Sequence, residues 1–458
     1  MSWTRSASQF LAVDPATVWQ VIGDPTQLPL WSPTFSAVTV QGEPAQDTEV
    51  RLTPAGSVIG PLHSRTAPPA RITAFTPQRR LEITQEQPGG TWQQEWRLTP
   101  YDGGTVLTQQ NRLTGPLARG ASVAIGDELA DFSVRCVRLL ALAEVEPFPD
   151  ALRVVIAGGS GSLGRRLAAE LVCRGQEVVI LTRAKRTELP FTQRVWDGRT
   201  VGDWTDGLFD EPSRTAVVNL AGQLIDGRPT KKFVAELTAS RVDSTTALVE
   251  ASRGASAPLQ RWVQASTASI WGDTGEQRLT EASPVPESGL AQMTGVAVPW
   301  EQAVEGANAE HLTVLRTSIV FDRASPVLEK LGGLAKVGLG GRVGSGRQWF
   351  SWIHIDDWLS ITLAALGLDP ARSLDGVVVA SAPNPVRNEQ LMRLLRAVLS
   401  GPPSPPTPAP LVRLGAFLMD TDPQLALTGR HATSQVLAEQ GFEFAHPELE
   451  DALRSLLR

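Results

Sequence analysis

Residues 157–164 read AGGSGSLG, with glycines spaced GxxGxxG. Such a loop can hold the phosphates of a dinucleotide, because each glycine removes a side chain where one would obstruct. Gly158 permits the tight turn, Gly161 lets the backbone approach a pyrophosphate, and Gly164 lets the following helix pack closely. The helix N-terminus adds N–H donors and the positive end of its dipole. Gly158, Ser160, Gly161, Ser162, Leu163 and Gly164 are therefore the expected cofactor-binding loop. Downstream, Thr182-Arg183 stands where an NAD site would carry an acid for the ribose 2′-hydroxyl. A guanidinium there suits a 2′-phosphate, so NADP(H) is favoured over NAD(H), with Lys185 or Arg186 in support. The competing reading makes these three solvated loop charges.

The surrounding segment, LRVVIAGGSGSLGRRLAAELVCRGQEVVILTR, supplies the elements that such a loop needs. VVIA is a short β-branched run, and Leu163, Leu167 and Leu171 recur at helical spacing. Gly175 ends that helix, and VVIL makes a second buried strand. The expected fold from residue 152 is a doubly wound α/β Rossmann sheet.

Blocks further along carry a resemblance: VVNLAGQLI (217–225), KKFVAELTASRVDSTTALVEA (231–251), QASTASIWGDTG (264–275), Trp300-Glu301, LRTSIVF (315–321), QWFSWIHIDDW (348–358) and LAEQGFEFAHPELEDALRSLL (437–457). In this order they resemble the epimerase family of atypical extended short-chain dehydrogenases/reductases, with its small C-terminal domain. The resemblance implies NADP(H) chemistry on a small carbonyl, alcohol or sugar-like substrate. It places Asp197 at the adenine, puts Ala221 and Gly222 where small residues let the cofactor cross the sheet edge, and implies a homodimer.

Extended relatives end their fifth strand in Ser or Thr and follow it with a YxxxK helix, whose tyrosine is the acid or base and whose lysine tunes it. Here RWVQAS ends in Ser266 and Thr267, but GVAVPWEQAVEGANAE has neither tyrosine nor lysine. Lys185, Lys231, Lys232, Lys330 and Lys336 cannot complete the motif, and the single tyrosine, Tyr101, lies far upstream at a hairpin tip. Three proton handlers stay open. Glu301 qualifies if it faces the nicotinamide rather than solvent. His354 qualifies if it is not simply satisfied by backbone, with Asp356 or Asp357 as a helix cap. Ser266 or Thr267 would polarise a carbonyl. The glycine-rich stretch 332–348, with Arg342 and Arg347, reads as a mobile loop, either facing a polar substrate or forming a solvated flap.

Residues 1–147 follow a different pattern. Asp14-Pro15 opens a short helix, period-2 strands follow, and Ile125, Leu129, Phe132, Cys136, Leu139 and Ala143 form one apolar helical stripe. The strand–helix–helix opening FLAVDPATVWQVIGDPTQLPLWSP resembles START/polyketide-cyclase-like (helix-grip) proteins, which implies an α+β fold. It also implies an apolar ligand, with Trp92, Trp96 and Phe132 lining its cavity or simply filling the core. The expected organisation is a helix-grip domain (1–147), a linker (148–151), a Rossmann domain (152–400), a Pro-rich spacer (401–410) and a helical cap (411–458).

Over 458 residues the net charge is −6, which argues against nucleic acid as a partner, and no apolar run suits a membrane span. Cys136 and Cys173 form no metal pattern, so no metal is expected, and buried reduced thiols point to a cytoplasmic setting. The expectation is an NADP(H)-dependent oxidoreductase or epimerase-like protein. The alternatives are a non-catalytic NADP(H) sensor and an apolar-ligand binder acting through residues 1–147.

Overall fold

The computed structural model describes residues 2–55, 68–87, 89–115, 129–225, 227–418 and 422–457. They form two compact units: residues 1–151 with 165–178 and 187–191, and residues 152–164, 179–186 and 192–458.

In the first unit, seven antiparallel strands follow the alternating segments of the sequence: β1 (Ser2–Leu11), β2 (Phe35–Val40), β3 (Glu49–Pro54), β4 (Ala70–Thr76), β5 (Arg80–Gln87), β6 (Gly90–Tyr101) and β7 (Gly104–Thr114). They pair in the order β1-β7-β6-β5-β4-β3-β2. Helix α1 (Pro15–Ile22) starts where Asp14 accepts from the Thr17 N–H at 2.8 Å, a cap worth about 1 kcal/mol. Helix α2 (Leu28–Trp31) follows, and α3 (Phe132–Leu142) closes the layer, giving the antiparallel sheet and long helix of a helix-grip fold. Ile125 of the expected stripe lies outside the described residues.

Trp31, Trp96 and Phe132 are buried, and the two indoles meet edge-on at 6.1 Å. The interior is not purely hydrocarbon. Gln94, Gln109, Asn111 and Arg135 are each at most 2% exposed, and Arg135 donates to Gln109 Oε1 at 2.8 Å. Its guanidinium also lies 5.1 Å from the Trp31 ring centroid.

The second unit is built on a seven-stranded sheet. Its strands are β8 (Arg153–Ala157), β9 (Glu177–Thr182), β10 (Thr192–Val195), β11 (Thr215–Asn219), β12 (Leu259–Thr267), β13 (Ala309–Thr317) and β14 (Gly376–Val378). All pair in parallel, in the order β10-β9-β8-β11-β12-β13-β14. The order reverses between β8 and β11, which opens a crevice at the strand C-termini. Near-continuous Val/Ile/Leu runs in β8 and β9 and the fully buried Trp262 in β12 are what a sheet covered on both faces requires.

Helix α4 (Ser162–Cys173) follows the glycine loop, α5 (Lys231–Arg253) leads to β12, and α6 (Thr294–Gln302) carries Glu301. Helix α7 (Pro326–Lys336) extends into the stretch expected to be a loop, so residues 332–336 are helical. Ser325 precedes Pro326 at its start, and Leu328 and Ala335 are buried in its core face. Helices α8 (Ile355–Ala365), α9 (Asn388–Leu399) and α10 (Leu449–Leu457) lie further along the chain. A core containing Phe321, Trp352, Leu391, Leu395 and Leu453 ties α9 and α10 to the region around residue 350. Among the described residues, no helix is long and apolar enough to cross a membrane.

Candidate active site and cofactor cleft

The glycine loop sits between β8 and α4 and is tight wherever a side chain would be excluded. Gly158 has φ +78°, and a Cβ there would lie 2.7 Å from the Leu220 carbonyl oxygen. A Cβ on Gly164 would lie 2.4 Å from the Gly158 oxygen. Gly161 is exposed, and its nearest neighbour would be 3.2 Å away. Two glycines are thus demanded by the turn, whereas the third leaves open the approach a pyrophosphate would use, and the residues fit a dinucleotide.

At the end of β9, Thr182 is buried and donates to the Ala184 oxygen at 2.9 Å, with Ser160 Oγ at 3.3 Å. Arg183 beside it is exposed and has no hydrogen-bond or ion-pair partner among the described residues. Asp197 serves its own turn: Oδ1 accepts from Arg199 N at 2.8 Å and Thr200 N at 2.9 Å, and Oδ2 from Thr200 Oγ1 at 2.8 Å. The Thr200 and Arg199 N–H groups hold its carboxyl below the usual range.

Ala221 N donates to Asn219 Oδ1 at 3.1 Å, while the buried Asn219 amide donates to Thr245 Oγ1 at 2.8 Å and Gln264 Oε1 at 3.1 Å. This polar brace fixes the ends of β11 and β12. Next to Gly222 lies Arg241, a buried residue donating to the Gln223 oxygen at 2.9 Å and 5.0 Å from the Trp300 ring. Burial lowers its pKa to about 10.

A cleft of about 340 Å³ joins the cradle to the end of β12; Ser162, Leu163, Leu220, Ser266, Thr267 and Trp300 are among its walls. Ser266 Oγ donates to Glu301 Oε1 at 2.5 Å. Arg316 grips the same carboxylate with both arms of its fork, Nε to Oε1 at 2.9 Å and Nη2 to Oε2 at 2.8 Å. The pair is largely buried, and the guanidinium lies 5.0 Å from the Trp271 ring. Glu301 is therefore neither a solvated surface acid nor a wall of the cleft. Thr267 Oγ1 accepts from Ser269 N at 3.1 Å and caps a short turn.

His354 has a structural setting. Nδ1 accepts from Asp356 N at 3.1 Å as the cap of α8, and Nε2 meets Ser455 Oγ at 3.1 Å. Its ring lies tilted against that of His446, centroids 3.7 Å apart, and does not line the cleft. His354, Asp356 and His446 bring potential ligand atoms within 4.8 Å of one another, although no metal was expected. Both His354 nitrogens are already committed to protein groups. Tyr101 is 63% exposed at the end of β6, in the other unit. Arg342 turns back to Ser345 O at 2.6 Å within its own loop.

Sequence reasoning missed Arg316, Arg241 and Asn219. Arg316 had a signal, a cation placed inside the apolar segment LRTSIVF, which calls for a buried acceptor. Asn219 interrupts TAVVN in the same way.

A parallel sheet of this order, with a glycine cradle at its crevice and a serine at the end of the fifth sheet strand in the chain, defines an extended short-chain dehydrogenase/reductase. The chain belongs to the NAD dependent epimerase/dehydratase family, whose pattern matches residues 154–374. Residues 407–456 match the domain of unknown function DUF1731, and residues 2–138 match the family "Polyketide cyclase / dehydrase and lipid transport". An epimerase family protein of Mycobacterium bovis is 30% identical over 306 residues, covering 66% of this chain and 96% of its own. The chloroplastic SDR39U1 homolog of Arabidopsis thaliana is 28% identical and covers 76% of this chain and 99% of its own. The crystal structure of human SDR39U1 with NADPH aligns at TM-score 0.58 and 27% identity, over 67% of this chain and 99% of that one. A Corynebacterium glutamicum structure described as a nucleoside-diphosphate sugar epimerase aligns at TM-score 0.59 and 24% identity, covering 98% of this chain and 90% of its own, and speaks for the fold alone.

Proposed function

We propose that this chain is an NADP(H)-dependent oxidoreductase or epimerase-like enzyme that works without the tyrosine–lysine pair. The observation that carries the proposal is the Ser266–Glu301–Arg316 chain at the cleft, in which Ser266 donates to a carboxylate fixed by a bidentate arginine. When bound, a nicotinamide supplies or takes up the hydride. Gly158 and Gly164 make the tight turn, Gly161 leaves room for the pyrophosphate, and Arg183, exposed and unpartnered among the described residues, is available to a 2′-phosphate. NADPH in the human relative supports that preference.

With its proton directed to Glu301, Ser266 keeps its lone pairs for a substrate hydroxyl. That hydroxyl passes its proton to Ser266 Oγ as the serine proton moves to Glu301, and the reverse transfer returns it to a carbonyl oxygen. Arg316 keeps the carboxylate in place through both directions.

The test is a screen of hydroxy and carbonyl compounds for NADP(H) turnover, repeated on Ser266→Ala and Glu301→Gln. The expected result is a fall in kcat/KM of about 10²–10⁴-fold in each variant, with NADPH affinity unchanged. Turnover indifferent to both substitutions contradicts the proposed relay. NADPH binding without turnover would leave a cofactor-sensing protein.

A further inference from the structure

Beside the cofactor cleft lies a smaller cavity of about 100 Å³ whose wall includes Arg430. Thr267, Thr317 and Ser318 line both, so the cavity adjoins the place where Ser266 would meet a substrate. Arg430 donates through Nε to the Gly272 oxygen at 3.1 Å, through Nη1 to Ser269 Oγ at 2.7 Å and through Nη2 to Thr428 Oγ1 at 3.2 Å. Met293 Sδ lies 3.6 Å from Nη2. All of these partners are neutral. Among the described residues Arg430 has no carboxylate ion-pair partner, and the acid that faces it, Asp273, accepts from Gly429 N at 3.2 Å. Burial lowers its pKa to about 10, which leaves it a cation at neutral pH.

A second observation points to the same place. Ser318, 9% exposed, has a hydroxyl with no hydrogen-bond partner among the described residues, although buried polar groups are nearly always paired. A desolvated cation with neutral partners and an unpaired hydroxyl on one small cavity are both satisfied by an incoming oxyanion. The cavity is of a size for a carboxylate or a phosphate group. A neighbouring cavity of about 650 Å³, which also reaches Thr428, offers room for the rest of a molecule.

We infer that Arg430 and Ser318 receive an oxyanion of the substrate, a carboxylate or a phosphate, which makes the substrate an anionic hydroxy or carbonyl compound. This deepens, and rests on, the oxidoreductase reading of the adjoining cleft. Arg430 is a binding residue here and takes no part in proton transfer.

The test uses calorimetry on the full chain with matched probes: lactate against lactamide for the carboxylate arm, and glycerol 3-phosphate against glycerol for the phosphate arm. The expected result is that the charged member of at least one pair binds about tenfold or more tightly than its neutral partner. The preference should fall by about tenfold in Arg430→Gln and recover in part in Arg430→Lys. Because Arg430 also holds the Gly272 loop, Ser318→Ala provides a variant that removes only an unpaired hydroxyl. It should weaken the anion severalfold without lowering the melting temperature. Equal binding within both pairs, no binding of either anion at millimolar concentration, or a preference untouched by both Arg430→Gln and Ser318→Ala overturns the inference. NADPH titrated separately keeps the two readings apart. Anion preference without NADPH binding removes the oxidoreductase reading alone, and NADPH binding without anion preference removes this inference alone.

Discussion

At the scale of single residues, the site is defined by what each side chain is already bonded to. Ser266 donates a hydrogen bond to Glu301, and Arg316 occupies both carboxylate oxygens, so removing the arginine strands a buried acid. Arg316→Met should therefore destabilise the protein by about 3–5 kcal/mol, read as a lowered midpoint in denaturant titration; a change under about 1 kcal/mol would contradict a buried, coupled pair. Gly158→Ala should abolish dinucleotide binding, because φ +78° and the Leu220 oxygen at 2.7 Å leave no place for the methyl. Calorimetry with NADPH checks this, and retained affinity would refute the tight-turn argument. The glycines were legible because their spacing and strand–helix context are local. Glu301 was legible as a candidate but not as to where it points, since Arg316 comes from strand β13, fifteen residues on. His354 shows the converse: it stood out as the histidine of WIHIDDW, yet its two nitrogens cap α8 and meet Ser455.

At the scale of elements, the start of α8 and the segment before α10 are clasped by a compact titrating group. Asp357 accepts from Ala445 N at 2.7 Å and His446 N at 3.1 Å, and burial raises its pKa despite them. His446 Nε2 lies 3.6 Å from Asp356 Oδ2, and this acid raises the His446 pKa above 6.5. His354, Asp357 and Asp451 also face that ring. A raised folded-state pKa means that the protonated imidazole stabilises fully below about 6.5 and that this contribution is lost as pH rises through the folded value. Melting temperature in the wild type should thus fall between about pH 6 and 8 by more than in His446→Asn. Parallel curves for the two proteins would contradict the clasp. Strands β1 to β9 were readable from alternation or β-branched runs. Helix α7 was misread because GGLAK carries two weak helix formers, and its start at Ser325-Pro326 outweighs them.

At the scale of the whole molecule, the chain joins a helix-grip domain to an epimerase-family unit with its C-terminal domain, and that order was legible from blocks of residues. The compact units were not legible, because residues 165–178, contiguous in sequence with the glycine loop, belong by their packing to the first unit. Both thiols are buried, and burial pushes Cys136 up to about 12 and Cys173 well above its ordinary 9.0. Neither should react with a thiol reagent at pH 8 in the native protein, and both should react after denaturation. Rapid native labelling would contradict their burial. The proposed function rests on the glycine cradle and Arg183 making an NADP(H) site. Calorimetric titration of the full chain with NADPH and NADH, repeated on Arg183→Ala, tests it most directly. NADPH should bind about tenfold or more tighter than NADH in the wild type, with the preference gone in the variant. Equal affinity for the two, a preference that survives Arg183→Ala, or binding of neither would contradict it.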